Sequence, residues 1–233
     1  MYEHIFTFLS KLVANNNREW FQQHRDEYEA AWGSFQEIVE ELIGEIQKFD
    51  PSVGYLTPKD CTYRIYRDLR FSLDKTPYKG HFGAFVNADG KKAYYGGYYL
   101  QIEPHQCMLA SGVWWLPSKE MQALRHAIAD QMDIYHDIVE NPAFKKLCPT
   151  IGLEHLKRIP NGFPKDFPHP EYLLCKDYTC YCTIKPADLS RKDGIKRIGE
   201  KFHIMQPFNE FLKENILINI EEMESMKNVV KFV

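Results

Sequence analysis

Residues 64 to 79 of this chain gather the side chains best suited to hold a negatively charged ligand. The stretch contains three arginines, two lysines and two tyrosines, and it carries a local charge of +3 in a chain whose net charge is −3. Arginine presents a planar fork of donors that matches phosphate or carboxylate oxygens in pairs, and lysine and tyrosine add further donors. The stretch therefore predicts an anion site, with phosphate as the preferred anion.

The predicted site consists of anion ligands and two candidate acid/base groups. Glu103 and His81 are the candidates for proton transfer. Lys157, Arg158 and Lys176 would extend the site if the fold brings them near the arginines. The full set of predicted anion ligands is Arg64, Arg67, Arg70, Lys75, Tyr78, Lys79, Lys157 and Arg158.

The same arginines have a structural alternative. Apolar and charged residues alternate from residue 63 to residue 71, which predicts a strand that places Arg67 on its apolar side. A guanidinium in that position requires a carboxylate or a bound anion, and Glu103 or Asp68 would serve as the carboxylate. Arg64 and Arg70 flank Asp68, so these three could instead form a solvated ladder of opposite charges.

Three classes of function remain open at this stage. The first is a protein or enzyme that binds a small phosphorylated or carboxylated ligand. The second is a nucleic-acid binding or processing module, in which the cations grip the backbone and aromatic residues stack on bases. The third is a structural or interaction domain whose charged stretch is an internal network of ion pairs. The sequence does not decide whether a reaction is catalysed.

The charged stretch also resembles the signature of a bacterial family of uncharacterised proteins, domain of unknown function 2461. The similarity extends to Asn16-Asn17-Arg18-Glu19-Trp20-Phe21 and to residues 156–163, which read Leu-Lys-Arg-Ile-Pro-Asn-Gly-Phe. Together the three stretches span most of the chain. The resemblance implies a shared architecture over that length and brings no established activity.

Composition favours a single globular domain over residues 1–233. The chain is 44% hydrophobic, which is enough to bury a substantial core. Its start lacks a basic, apolar secretion signal, and no long apolar span appears, so we expect a cytoplasmic protein that does not bind membranes. A pI near 6.3 argues against general nucleic-acid binding. The spacing of the six cysteines and nine histidines predicts free thiols, no metal and no cofactor. The oligomeric state is not predicted.

The periodicity of the sequence predicts an α+β fold, in which an antiparallel central sheet is packed by long N-terminal, middle and C-terminal helices. A short helix at residues 8–13 precedes a long one from Asn17 to Pro51. Strands are expected at 93–103, 107–115 and 178–184. The remaining predicted helices begin at residues 117, 141 and about 187, and the last of them is interrupted by Pro207.

Overall fold

The computed structural model describes residues 2–70, 73–93 and 95–230, and it describes side chains as far as residue 218. Within those residues the fold combines helices with a four-stranded antiparallel sheet, which confirms the predicted α+β class. The strands, in sheet order, are β1 (Phe82–Val86), β2 (Tyr98–Ile102), β3 (Cys107–Val113) and β4 (Tyr178–Ile184).

Ten α-helices lie in the described part of the chain, with a short 3-10 turn at Pro51–Val53. They are α1 (Glu3–Ala14), α2 (Arg18–Gln23), α3 (Arg25–Gln47), α4 (Pro58–Cys61), α5 (Ser118–Asp130), α6 (Met132–Val139), α7 (Pro142–Leu147), α8 (Pro170–Leu174), α9 (Pro186–Leu189) and α10 (Gly194–Val230). No helix among the described residues has the length and apolar character that crossing a bilayer requires.

The described chain divides into two compact units. The first contains the chain up to Lys92 together with Tyr98–Leu109 and Cys182–His203. The second contains Ala93–Gly97, Ala110–Tyr181 and the chain from Ile204 onward. The charged stretch at residues 64–79 lies in the first unit, whereas Lys157, Arg158 and Lys176 lie in the second.

In the first unit α1 and α3 pack against each other, and Phe8 and Phe35 from these helices contact Phe82 on β1. Alternate strand residues Phe82, Ala84 and Val86 are buried, as are Leu100 and Ile102 in the neighbouring strand. In the antiparallel register Phe82 faces Ile102 and Val86 faces Tyr98. Because side chains alternate along a strand, the residues between these buried ones project from the opposite face. That opposite face carries the candidate site.

Two predicted helices differ from the observed ones. The long N-terminal helix is divided at His24, whose backbone leaves helical geometry (φ −115°, ψ 26°) and whose Nδ1 lies 2.8 Å from the carbonyl oxygen of Trp20. At the other end of the chain, α10 continues through Pro207 rather than stopping there. Met205 and Phe208 on either side of the proline are buried, and this packing offsets the backbone hydrogen bond that proline cannot donate.

The strand predicted at 178–184 is confirmed, the two predicted at 93–103 and 107–115 are shorter than expected, and the one predicted at 63–71 is absent from the described part of that segment. β2 begins at Tyr98 because Gly96 and Gly97 adopt positive φ angles of 52° and 145°, and the Gly97 N–H donates to the Asn209 side chain (2.6 Å). The strand predicted at 63–71 is wrong for its described part: only isolated bridges form, at Thr62 and Tyr66. Phe71, its predicted last residue, lies outside the described residues.

Candidate functional site

The charged stretch is folded back on itself beside β1. Thr62 bridges to Ala84, and the Tyr63 N–H donates to the carbonyl oxygen of Gly83 (3.0 Å). Further along, the Lys79 N–H donates to the carbonyl oxygen of Ile65 (2.8 Å). These backbone bonds place the two ends of the charged stretch next to each other and next to the sheet.

Arg67 and Arg70 are held by carboxylates of the same stretch. Arg67 forms a salt bridge with Asp74 and donates to the Thr76 hydroxyl (3.1 Å), so its partner is neither of the predicted carboxylates. It does not lie on an apolar strand face, because no continuous strand forms there. Arg70 contacts the Asp68 carboxylate at 2.6 Å, as the charge-ladder alternative expected. That guanidinium lowers the pKa of Asp68 to about 2.

Lys75 and Tyr78 also have internal contacts. The exposed Lys75 ammonium donates to the carbonyl oxygen of Leu69 (3.0 Å). Tyr78 is buried, and its ring stacks on Phe21 with centroids 4.0 Å apart. Its backbone is held by Asn16, whose side-chain amide both donates to the Tyr78 carbonyl oxygen (2.9 Å) and accepts from the Tyr78 N–H (3.1 Å). These contacts stabilise the loop.

The side chains of two cations of the stretch, Arg64 and Lys79, have neither a carboxylate nor a carbonyl partner among the described residues. Neither the Arg64 guanidinium nor the Lys79 ammonium forms a hydrogen bond or salt bridge with any residue that the structure describes. Burial lowers the pKa of the half-buried Lys79, and the nearby charge of Arg64 lowers it further. The Lys79 ammonium lies 5.4 Å from the centroid of the Tyr63 ring, a distance at which a cation and an aromatic face attract each other.

His81 follows Lys79 by two residues and is close enough to feel the charge of the Lys79 ammonium. Burial lowers the pKa of His81, and the charges of Lys79 and Arg67 lower it further, while Glu103 acts in the opposite direction. The imidazole is therefore neutral near neutral pH and has a nitrogen able to accept a proton. The structure thus places both candidate acid/base groups within electrostatic range of each other.

Glu103 is positioned by its neighbours on β2. The Tyr99 hydroxyl donates to the Gln101 side-chain oxygen (2.6 Å), and the Gln101 amide donates to the Glu103 carboxylate. This hydrogen-bond chain fixes the carboxylate. Burial raises the pKa of Tyr99, with smaller contributions from Tyr63 and Glu103, so its hydroxyl stays protonated and remains a donor.

Gly83 makes room for this arrangement. A Cβ atom built at Gly83 would lie 2.9 Å from the Tyr99 hydroxyl oxygen, closer than packed atoms normally approach. Any larger residue here would displace the ring that begins the hydrogen-bond chain. We use the name Lys79–His81 cluster for Arg64, Tyr63, Lys79, His81, Tyr99, Gln101 and Glu103.

Lys157, Arg158 and Lys176 belong to the second unit. Lys157 and Arg158 are exposed there, and Lys176 forms a salt bridge with Glu154 (2.8 Å). Within the described residues no group of three or more histidine, cysteine or acidic side chains is arranged to hold a metal ion.

Sequence reasoning did not find three members of the cluster or the residue that supports its loop. Tyr63, Tyr99 and Gln101 were missed, although Tyr99 and Gln101 alternate with the buried residues of β2 and so belong to the exposed face with Glu103. Asn16 stands in one of the stretches that carry the family resemblance, yet its contact with Tyr78 spans 62 positions of sequence. No local pattern reports a contact of that range.

Comparison with known proteins identifies a family and no named relative. No curated protein and no solved structure matches this chain. A family model described as conserved hypothetical protein (DUF2461) matches residues 4–211, which include Asn16, the charged stretch and every member of the Lys79–His81 cluster. Because this match covers most of the 233 residues, the chain belongs to the DUF2461 family of conserved hypothetical proteins.

Proposed function

We propose that the first unit binds a small phosphorylated or carboxylated ligand at the Lys79–His81 cluster. One observation carries the proposal: Arg64 and Lys79 lie close enough for Arg64 to lower the pKa of Lys79, yet neither has a carboxylate partner among the described residues. Arg64 is exposed and Lys79 is half-buried, and two like charges near each other are unfavourable unless an anion joins them. A bound phosphate or carboxylate would remove that repulsion.

The set of residues that we propose as anion ligands is smaller than the set predicted from the sequence. Arg64 and Lys79 are the cations available to a ligand, whereas Arg67, Arg70 and Lys75 are engaged by Asp74, Asp68 and the Leu69 carbonyl oxygen. These contacts support the alternative of an internal ion-pair network for Arg67, Arg70 and Lys75. The two interpretations apply to different residues, so they are compatible.

Acid–base chemistry on the bound anion is part of the proposal. A neutral His81 beside Lys79 can accept a proton from a ligand held by the two cations. Glu103 favours the protonated imidazole that would result, and the hydrogen bond from Gln101 keeps its carboxylate in place. We propose His81 as the general base and Glu103 as the group that stabilises its charged form.

We also propose that the protein acts in the cytoplasm of a bacterial cell. The six cysteines are all thiols, five of them buried, which suits a reducing compartment. The bacterial assignment rests on the family resemblance of the charged stretch.

Equilibrium unfolding with and without a small anion tests the binding proposal. Inorganic phosphate, phenyl phosphate and succinate serve as probes, since a ligand at ten times its Kd stabilises the folded state by about 1.4 kcal/mol. Lys79→Gln should abolish this stabilisation while leaving the ligand-free protein equally or more stable, because it removes repulsion with Arg64. Lys75→Gln is the matched control from the same loop, and it should respond to the anion as the wild type does.

The outcomes separate the hypotheses. If none of the three anions stabilises the wild type, or if Lys79→Gln keeps the full response, the anion site is wrong. Tight binding of duplex DNA at physiological salt, together with no response to small anions, would support the nucleic-acid alternative instead. His81→Gln should keep the anion response, since the imidazole is assigned to proton transfer rather than to binding.

A further inference from the structure

Lys79 differs from the other lysine of the charged stretch in its surroundings. Its side chain is half-buried, and its ammonium has no hydrogen-bond or salt-bridge partner among the described residues. The Lys75 ammonium, by contrast, is exposed and donates to the Leu69 carbonyl oxygen (3.0 Å). A lysine that is partly removed from water and has no anionic partner loses its proton more easily than a solvated one. Lys79 is therefore the lysine of this stretch best placed to react as a free amine.

Backbone pairing places Arg64 beside Lys79. The Lys79 N–H donates to the carbonyl oxygen of Ile65 (2.8 Å), and the Tyr63 N–H donates to that of Gly83 (3.0 Å). The segment that carries Arg64 therefore runs alongside the segment that carries Lys79. Burial lowers the pKa of Lys79, and the charge of Arg64 lowers it further. Desolvation and a neighbouring cation are two conditions under which a lysine becomes a nucleophile at neutral pH.

His81 supplies the base that a nucleophilic lysine requires. Burial lowers the pKa of His81, and the charge of Lys79 lowers it further, so the imidazole is neutral near neutral pH. A neutral imidazole can accept a proton from an ammonium group and later return it to a leaving hydroxyl. Glu103, whose carboxylate accepts from the Gln101 amide, favours the charged form of the ring that exists between those two transfers.

We propose that Lys79 forms a covalent imine with a 2-oxo acid whose carboxylate is held by Arg64. This inference rests on the proposed function, because it identifies the bound anion as a carboxylate with a ketone attached to it. Since Arg64 and Lys79 are neighbours, the ketone carbon next to the carboxylate is the atom that we place at the Lys79 nitrogen. Every residue involved belongs to the first unit.

The steps of imine formation conserve atoms and charge. His81 takes one proton from the Lys79 ammonium, and the nitrogen lone pair then bonds to the ketone carbon while the π pair moves to oxygen. A second proton passes from nitrogen to that oxygen, which gives a carbinolamine. The proton on His81 returns to the hydroxyl, water leaves, and the nitrogen lone pair completes the C=N double bond. The product is a protonated imine, and His81 is neutral again.

Reductive trapping with pyruvate tests the proposal in the folded protein. Sodium cyanoborohydride transfers hydride to an imine and converts it to a stable secondary amine. Mass spectrometry of the digested protein should locate an adduct on Lys79, with the mass of pyruvic acid less one oxygen atom. Lys75 is the internal reference, and it should be labelled to less than about a tenth of that extent because its ammonium is solvated.

Lys79→Arg and succinate separate the imine from the anion site. Arginine keeps the positive charge but has no amine that forms an imine, so Lys79→Arg should still be stabilised by succinate and should yield no adduct at this position. Succinate has carboxylates and no ketone. It should therefore compete with pyruvate and reduce labelling of Lys79 in the wild type, while labelling of Lys75 stays unchanged. Lys75→Gln should form the Lys79 adduct to the same extent as the wild type.

The outcomes distinguish failure of the imine from failure of the anion site. If succinate stabilises the wild type but pyruvate does not label Lys79 in preference to Lys75, the imine is overturned and the anion site stands. Labelling of Lys79 that succinate fails to reduce would also overturn the proposal, because the amine would then react outside the anion site. If succinate does not stabilise the wild type, the anion site is wrong and the imine proposal falls with it.

Discussion

Asn16 and Tyr78 are joined by two hydrogen bonds although 62 positions of sequence separate them. The Asn16 side-chain amide donates to the Tyr78 carbonyl oxygen (2.9 Å) and accepts from the Tyr78 N–H (3.1 Å), which is the pairing that a neighbouring strand would provide. Tyr78 immediately precedes Lys79. The turn between α1 and α2 therefore fixes the backbone next to Lys79, whose side chain is the proposed anion-binding group.

Replacing Asn16 should affect stability and ligand binding together. Asn16→Ala removes both hydrogen bonds, and at 0.5–1.5 kcal/mol each we expect a loss of about 1–3 kcal/mol in the free energy of unfolding. The Kd for phosphate should also rise, because the backbone at Lys79 is no longer held. Urea titration and calorimetry measure the two effects. Asn15→Ala, at an exposed position next in sequence, is the control: it removes only the hydrogen bond from the Asn15 amide to the Lys11 carbonyl oxygen (2.9 Å), so it should cost less stability and leave the Kd for phosphate unchanged.

The ring of Tyr63 should hold the Lys79 ammonium in place. Tyr63→Leu removes the aromatic face, and a cation–π contact worth about 0.5–2 kcal/mol predicts a phosphate Kd raised roughly two- to thirtyfold. Tyr63→Phe keeps the face and loses only the hydroxyl, which donates to the Lys91 carbonyl oxygen (3.1 Å), so its Kd should stay near that of the wild type. Equal effects of the two substitutions would show that the ring does not act on Lys79.

His81 should make the folded protein less stable in mild acid. Its pKa in the folded state lies below the ordinary value of 6.5, so the unfolded chain binds more protons between those two values and stability falls as the pH drops through them. In His81→Gln this contribution is absent. Urea titrations between about pH 7.5 and pH 5 should show that the variant loses less stability than the wild type. A steeper loss in the variant would contradict the direction of the shift.

Gly83 should tolerate a methyl group only when the Tyr99 hydroxyl is removed. Gly83→Ala forces the ring away from Gln101, and crowding of this kind costs about 1–3 kcal/mol. In the double variant Gly83→Ala/Tyr99→Phe the next ring atom lies 3.4 Å from the new Cβ, so most of that loss should be recovered. Thermal unfolding of both single variants and the double variant measures the coupling. Strictly additive effects would mean that the two residues do not compete for space.

Much of the architecture was accessible from periodicity alone. The antiparallel sheet, the helix at residue 118 and the strand at 178–184 follow from patterns that are local in sequence. The errors arose where a single side chain overrides the pattern, as at His24, or where neighbouring packing overrides a helix breaker, as at Pro207. Charged and apolar residues alternate from residue 63 to residue 71, and this pattern predicted a strand. The described part of the segment is a loop that pairs with its neighbours only at isolated points, so the alternation did not distinguish a loop from a strand.

The proposed site overlaps the stretch predicted from the sequence, but its members differ from the predicted ones. Five cations close together predict an anion site, but which of them are neutralised by carboxylates depends on how the loop turns back. Arg67 meets Asp74 across seven positions, and this pairing was not among the predicted ones. Lys75 meets a backbone carbonyl oxygen, whereas the side chains of Arg64 and Lys79 have no polar partner in the described fold, and no spacing rule reports that difference.

The rate at which the buried thiols are alkylated can measure how often the folded protein opens. Burial raises the pKa of Cys61 to about 11 and those of Cys107 and Cys175 to about 12, which suppresses the thiolate that alkylating reagents attack. Their reaction therefore requires transient exposure of the interior. Cys61 and Cys107 lie in the first unit and Cys175 in the second, so the labelling rate at each position, followed by mass spectrometry, would report how often that unit opens under native conditions.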